Sequence, residues 1–556
     1  MPPPGWASPQ PQQIQLQQMK PSQAQPSQAA TEPPAADTPT PTAAAPPVAA
    51  TPTAATTPTP LLIGLALAIY LTSYLFFSLN ILDGIYFGLN ITLFFGLMLA
   101  VTLVGLLVAK VRLGLGSWLL FTAAVGGALG FLLYGERDIA VLLFLGEACL
   151  CLFWLAFSCR SLIARPLSLL LALDWVNQFF VVPFANFGAI FTRPWRGNGK
   201  RSTVKVVGIS VLCLVVSLPV IGLVVYLLAS SSTPFNGFLH NVFSAIDLSN
   251  INIANQLLYL FLAIPLAAWF FGMLLGNLEK RHTGHIPRAG VLSGLAKFQA
   301  IPKVALFLPA GLLILIYVIY LVTFAPYLFS ALSGILPLDY TYADYARQGF
   351  FELAGVASIN LAGLGVLWLL SKRGEARYPL AMRVVSLVFC LLTCLLIAVA
   401  MSKLLLYIGA YGLTPLRLYV GVFLGLLAVA FVLLGAWSLH AFNAFRPVLA
   451  AVVAVFLVFS LANTNAWIAD YNVSRYLSGT EAGTEEQVDV DALAALGPAA
   501  APSLLRLKNE SADNVVAADA QSRLNALADE RNGANARPWY AFSLNELKVW
   551  GVGTGK

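Results

Sequence analysis

Three stretches of an otherwise apolar chain carry side chains able to do chemistry. "YADYARQGFFELAGVASIN" (342–360) sets Asp344, Tyr345, Arg347 and Glu352 at the mouth of an apolar run that also holds Asn360. "KLLLYIGAYGLTPLRLY" (403–419) contributes Lys403, Tyr407, Tyr411, Arg417 and Tyr419. "NTNAWIADYNVSRY" (463–476) adds Asn463, Asn465, Asp470, Asn472 and Arg475. Carboxylates near cations suit general acid–base work or the holding of an anionic group. In that reading Glu352 or Asp344 is a base and Lys403 or Arg417 holds phosphate. The stretches contain no histidine, however, and no motif that selects a reaction class. A P-loop, a dinucleotide fingerprint, a zinc-protease helix and a nucleophile elbow are all missing from the sequence. Glu147 stands alone in the middle of "LFLGEACLCLFW" (143–154), and an ionisable residue in such a setting is a candidate proton or ion relay. His282 and His285 in "HTGHIPR" have no neighbouring Cys or carboxylate pair, so no metal site and no cofactor is expected.

The elements that must position these residues are membrane helices. The 556 residues are 58% hydrophobic and 10% charged, with a mean hydropathy of +0.78, against about 25% charged in soluble chains. The apolar runs are long and do not alternate, which predicts an all-α polytopic membrane protein. About eleven spans are expected, near 61–79, 86–109, 116–134, 139–159, 204–229, 256–276, 304–328, 349–370, 381–406, 416–437 and 446–464. The stretch 161–192 holds Arg165, Pro166, Asp174 and Pro183 before a basic run, and reads as an interfacial segment. Residues 1–60, rich in Pro, Ala, Thr and Gln, read as a disordered tail. Residues 465–556 read as a small polar helical domain. All six cysteines fall in apolar stretches; Cys390 and Cys394 share a helix face and read as packing residues.

Basic residues divide by loop. Lys110 and Arg112, then Arg160 to Lys205, then Lys280 to Lys303, then Lys372 to Arg383, and Arg446 fall after even-numbered spans. The positive-inside rule makes those loops cytoplasmic, together with the N-terminus, and places the C-terminus outside. All three polar stretches then share the extracytoplasmic face. The net charge of +7 is explained by these loops and does not imply a nucleic-acid partner.

The motifs "YADYARQGFFEL", "YGLTPLRLY", "NAWIADYN", "VDVDALAALGPAAAPSLLRL" and the late "WYAFSLNELK" resemble, in order and spacing, a bacterial family of multi-spanning membrane proteins, the domain-of-unknown-function 4153/4173 type. The resemblance covers most of 61–550. Asp470 stands where the family pattern has Arg, and Ala499 where it has Asp. The resemblance implies topology and a bacterial inner membrane, and brings no activity with it.

The leading expectation is a non-enzymatic membrane scaffold or sensor. Its candidate site is an extracytoplasmic polar cluster of Tyr345, Arg347, Glu352, Lys403, Tyr411, Arg417, Asn465, Asp470, Asn472 and Arg475. Its partners are the lipid bilayer and an unidentified protein or external ligand. The alternatives are a transporter using Glu147 and a membrane-embedded transferase acting on a lipid-linked substrate.

Overall fold

The computed structural model describes residues 59–81, 87–135, 138–164, 168–194, 253–280, 285–299, 303–323, 350–371, 379–440, 442–481, 488–532 and 538–550, with isolated positions at 217, 221, 224, 225, 228 and 325. The expected tail ahead of residue 59, most of the expected span at 204–229, and Tyr345 and Arg347 lie outside the described residues. The described residues form helices and contain no strand. In hydrocarbon every backbone N–H and C=O must find its partner within the segment, and a helix achieves this locally. Eight helices are long and apolar enough to cross a membrane, and a ninth is reached if one bent pair counts as a span. The expectation of eleven is not reached among the described residues. The protein is a multi-pass membrane protein.

A first group of helices comprises α1 (Thr59–Ser78), α2 (Leu89–Val108), α3 (Leu115–Tyr134) and α4 (Ala140–Ser158). They share a core with a later helix, α8 (Ile253–Glu279), through residues such as Ile69, Leu106, Trp154 and Phe271. Between them run α5 (Leu171–Val176), a π-turn (Asn177–Val181), α6 (Val182–Ala185) and α7 (Ala189–Thr192). Both ends of this segment are tied to one end of the group. Asp174 accepts from the Ile163 and Ala164 amides at 2.6 and 2.9 Å, just past the end of α4. Arg193 pairs with Glu279 at the end of α8. The segment therefore starts and finishes at the same end of the group. Its middle packs on α8 where Gly272 and Gly276 leave room; a Cβ at Gly272 would stand 2.7 Å from the Pro183 carbonyl oxygen. Small residues four apart permit this close approach.

The helix ends at that face carry cations. Lys110 and Arg160 adopt left-handed φ of 55° and 54°. The next amides, Val111 and Ser161, reach back to the Leu106 and Ala156 carbonyls at 2.9 and 2.8 Å. This satisfies the terminal carbonyls and sets positive charge at the negative end of each helix dipole.

After the short α9 (Arg288–Phe298), a second group comprises α10 (Lys303–Thr323), α11 (Phe350–Leu370), α12 (Leu380–Tyr411) and α13 (Pro415–Leu439). Its core contains Phe389, Leu396, Leu424 and Phe431. Buried polar groups lock it: Tyr317 donates to Asn360 at 2.6 Å, Asn360 to Thr393 at 3.0 Å, and Trp368 to Ser386 at 2.9 Å. Helix α14 (Phe445–Leu461) lies against α3 and α13, and a 72° bend then leads into α15 (Thr464–Glu481). Ile468, Val473 and Leu477 of α15 pack with α16 (Val490–Ala494), α17 (Ala501–Glu510) and α18 (Asn514–Asn532) around Leu493, Leu504, Leu507 and Leu524. The last helix is α19 (Leu547–Trp550).

Candidate functional site

The three-residue loop Gly412–Thr414 joins α12 to α13 and is the centre of the polar cluster. Gly412 has φ 76° and ψ 179°, a region open essentially to glycine alone. Thr414 caps α13, its Oγ1 accepting from the Arg417 amide at 3.4 Å. Asn472 on α15 faces this loop and bonds Leu413 twice. Its Oδ1 accepts from the Leu413 amide at 2.8 Å, and its Nδ2 donates to the Leu413 carbonyl at 2.7 Å. Arg475, one turn on, donates to the Ala410 carbonyl at 3.2 Å. Arg417 donates to the Tyr411 carbonyl at 3.0 Å and to that of Gly412, while its guanidinium lies 4.0 Å from the centre of the Tyr407 ring. The last carbonyls of α12, left without intrahelical partners, are thus satisfied by two arginines.

The other expected site residues divide. Lys403 lies inside α12, as the expected span 381–406 had it; the residue is only 2% exposed, and the Glu352 carboxylate on α11 is within electrostatic range. A cation buried in a span is tolerable when an opposite charge lies within reach, and Glu352, itself exposed in the first turn of α11, supplies it. Asp470 points away from the loop, at 3.6 Å from Arg506 on an exposed surface. Asn465 is buried and donates to the Leu496 carbonyl at 3.1 Å, which holds α15 to the helices that follow it. The structure therefore brings Tyr411, Arg417, Asn472 and Arg475 together, sets Glu352 and Lys403 beside one another, and leaves Asp470 and Asn465 elsewhere.

A second docking point lies in the late aromatic run, whose partners the sequence does not name. The segment Trp539–Glu546 reaches the same end of the first helix group. The Leu89 amide donates to the Phe542 carbonyl at 2.9 Å. Asn80 donates to the Tyr540 hydroxyl at 2.9 Å, and Asn463 to Asn545 at 3.0 Å. Gly88 and Gly135 make space: a Cβ would stand 2.5 Å from the Ala541 carbonyl oxygen at the first, and 2.7 Å from Ser543 Oγ at the second, where φ is +60°. A capping box between Ser543 and Glu546 shapes the segment. The signal in the sequence was the aromatic run "WYAFSLNELK", which needed a surface to pack on.

Glu147 is fully buried in α4. Its carboxyl packs against Gly127 of α3 and beside Phe456 of α14, where a Cβ on residue 127 would collide with both. Cys151 Sγ lies 3.4 Å from Oε1. Burying a carboxyl in such apolar surroundings is costly. Among the described residues no group of three His, Cys, Asp or Glu side chains converges to hold a metal.

The family described as Domain of unknown function (DUF4153) matches residues 121–507. The chain belongs to this family. The match takes in the Gly412 loop, the Asn472 and Arg475 clamp and Glu147. No curated protein and no solved structure matches the chain.

Proposed function

We propose that this DUF4153 protein is a non-enzymatic membrane scaffold or sensor of the bacterial inner membrane, with its C-terminal helices docked on the extracytoplasmic ends of its spans. One observation carries the reading. The polar residues most suited to chemistry are consumed in holding backbone: Asn472, Arg475 and Arg417 together make five hydrogen bonds to the chain between Ala410 and Leu413. An arginine committed to two carbonyls and stacked on a tyrosine ring is not free to hold a phosphate, which weakens the transferase alternative. The surroundings of Glu147 are Gly127, Phe456 and Cys151 rather than a polar path, which weakens transport.

The orientation is supported by charge. Lys110, Arg160, Arg193, Lys280 and Arg383 gather at the opposite end of the helices, at or beside helix termini. Cytoplasmic loops hold such an excess. In this reading the docked C-terminal helices report outside conditions to the spans through the Leu413 clamp. A disulfide at the second docking point, which leaves the Leu413 clamp intact, tests it. With native cysteines removed, Asn463→Cys and Asn545→Cys, whose native side chains meet at 3.0 Å, oxidise readily if the C-terminal segment stays docked in the membrane. Failure to form the cross-link, with the protein folded and inserted, removes the docked-sensor reading.

A further inference from the structure

A groove of about 590 Å³ lies in the first helix group, between α1, α2, α4, α8 and the π-turn segment. Its walls are aromatic: Phe94, Phe95, Phe144, Phe184, Trp154 and Trp269 all face it, and no charged residue lines it. We infer that this groove binds a single long hydrocarbon chain of a lipid. The inference goes beyond the docked-sensor reading and does not depend on it.

Four observations lead there. The lining runs from Phe144 to Leu155 on α4 and from Leu262 to Met273 on α8, eleven steps on each, or about 16 Å at 1.5 Å per residue. That is about half of a hydrocarbon core of roughly 30 Å, the depth one lipid chain occupies. The wall is also built, not merely left over. Pro265 sits inside the continuous α8 and lines the groove, and a proline inside a helix removes a hydrogen bond and favours a bend. Across from it the π-turn Asn177–Val181 carries Phe179, whose carbonyl accepts from Trp269 Nε1 at 3.1 Å. Single π-turns concentrate at functional sites. The groove also has a mouth: Phe179 and Phe184 are 42% and 58% exposed, while Trp154 and Leu155 behind them are each 1% exposed. Finally, apolar walls give water no partners, and walls facing nothing lose their dispersion contacts. A flexible hydrocarbon chain arriving from the bilayer satisfies both.

Photo-crosslinking tests this on the full chain in nanodiscs. One arm uses phosphatidylglycerol with a diazirine on its acyl chain, and the other a diazirine-bearing polyprenyl phosphate. Peptides containing Phe179–Phe187 and Leu262–Met273 are expected to label at least fivefold more than the exposed Leu312–Ile316 stretch of α10. Labelling in the first arm identifies an acyl chain, and labelling in the second that resists competing phospholipid identifies an isoprenoid chain. Ala148→Phe and Leu266→Trp, which place bulk in the groove from two helices, should each lower labelling at least fivefold, whereas Leu315→Trp on α10 should not. Equal labelling of groove and α10 peptides in the wild-type protein overturns the inference without recourse to any variant. So does labelling unchanged in both filling variants.

Discussion

Replacing Asn472 with Ala removes both hydrogen bonds to Leu413 and adds nothing in their place. The bonds measure 2.8 and 2.7 Å, and Leu413 and Asn472 are both half-buried. A hydrogen bond contributes about 0.5–1.5 kcal/mol net, and more when a partly buried partner is stranded. Two of them give about 2 kcal/mol, or on the order of thirtyfold in the docked-to-undocked ratio at about 1.4 kcal/mol per tenfold. The Leu413 amide is itself the reporter, because its proton is held by Asn472 Oδ1. Hydrogen exchange of peptides spanning Gly412–Leu418, measured in nanodiscs, should accelerate on the order of thirtyfold in Asn472→Ala. Asn472→Asp keeps the acceptor but sets a carboxylate oxygen against the Leu413 carbonyl, so its amide should exchange at an intermediate rate. Exchange within twofold of wild type in Asn472→Ala would refute the claim that this side chain holds the loop.

Other substitutions probe the same architecture. Gly412→Ala forces a side chain into a glycine-only conformation and stands a Cβ 2.5 Å from Asn472 Oδ1; strain of this type costs about 1–3 kcal/mol, readable as a lower melting temperature and the same exchange signature. Gly135→Ala, with φ at +60° and Ser543 Oγ in the way, should release the Trp539–Glu546 segment and make it sensitive to protease, while the clamp at Leu413 keeps its protection. Gly127→Ala should destabilise strongly, since its Cβ collides with the Glu147 carboxyl. Adding Glu147→Ala should recover part of the loss, giving a coupling of about 1–3 kcal/mol in a double-mutant cycle; simple additivity would contradict the packing. Arg417→Lys, which loses the fork that reaches two carbonyls, should lower stability measurably more than the same change at Arg506, whose partners lie on the surface.

Much of the frame was legible because the bilayer imposes it. The runs ending at Ser78, Val108, Tyr134 and Ser158 are long and apolar, with Glu147 their one ionisable carboxylate or base, and a helix is the only local way to satisfy their backbone. Lys403 fell inside the expected span 381–406, but the helix runs on to Tyr411, and the burial of Lys403 near Glu352 is a tertiary feature that local pattern does not carry. Asp470 and Asn472 illustrate the limit in the cluster itself. They are two residues apart on one helix and so point in different directions, one to Arg506 and solvent, the other to Leu413. Which of them faced the loop depended on the 72° bend after α14, a tertiary feature that periodicity does not carry. The docking of Tyr540 and Ser543 on Asn80 and Gly135 is likewise invisible to local pattern, because the partners are hundreds of residues apart.

Orientation is the claim on which the sensor reading rests, and one labelling experiment tests it. In a chain freed of its six native cysteines, Val515→Cys places a thiol at a position 76% exposed on the C-terminal helices, and Lys297→Cys places one at the opposite end of the bundle. With an impermeant thiol reagent on intact cells, whose outer membrane has been made permeable if they have one, the account predicts that Val515→Cys labels directly and Lys297→Cys only after lysis. The reverse pattern would put the clamp and the docked helices in the cytoplasm and contradict the account.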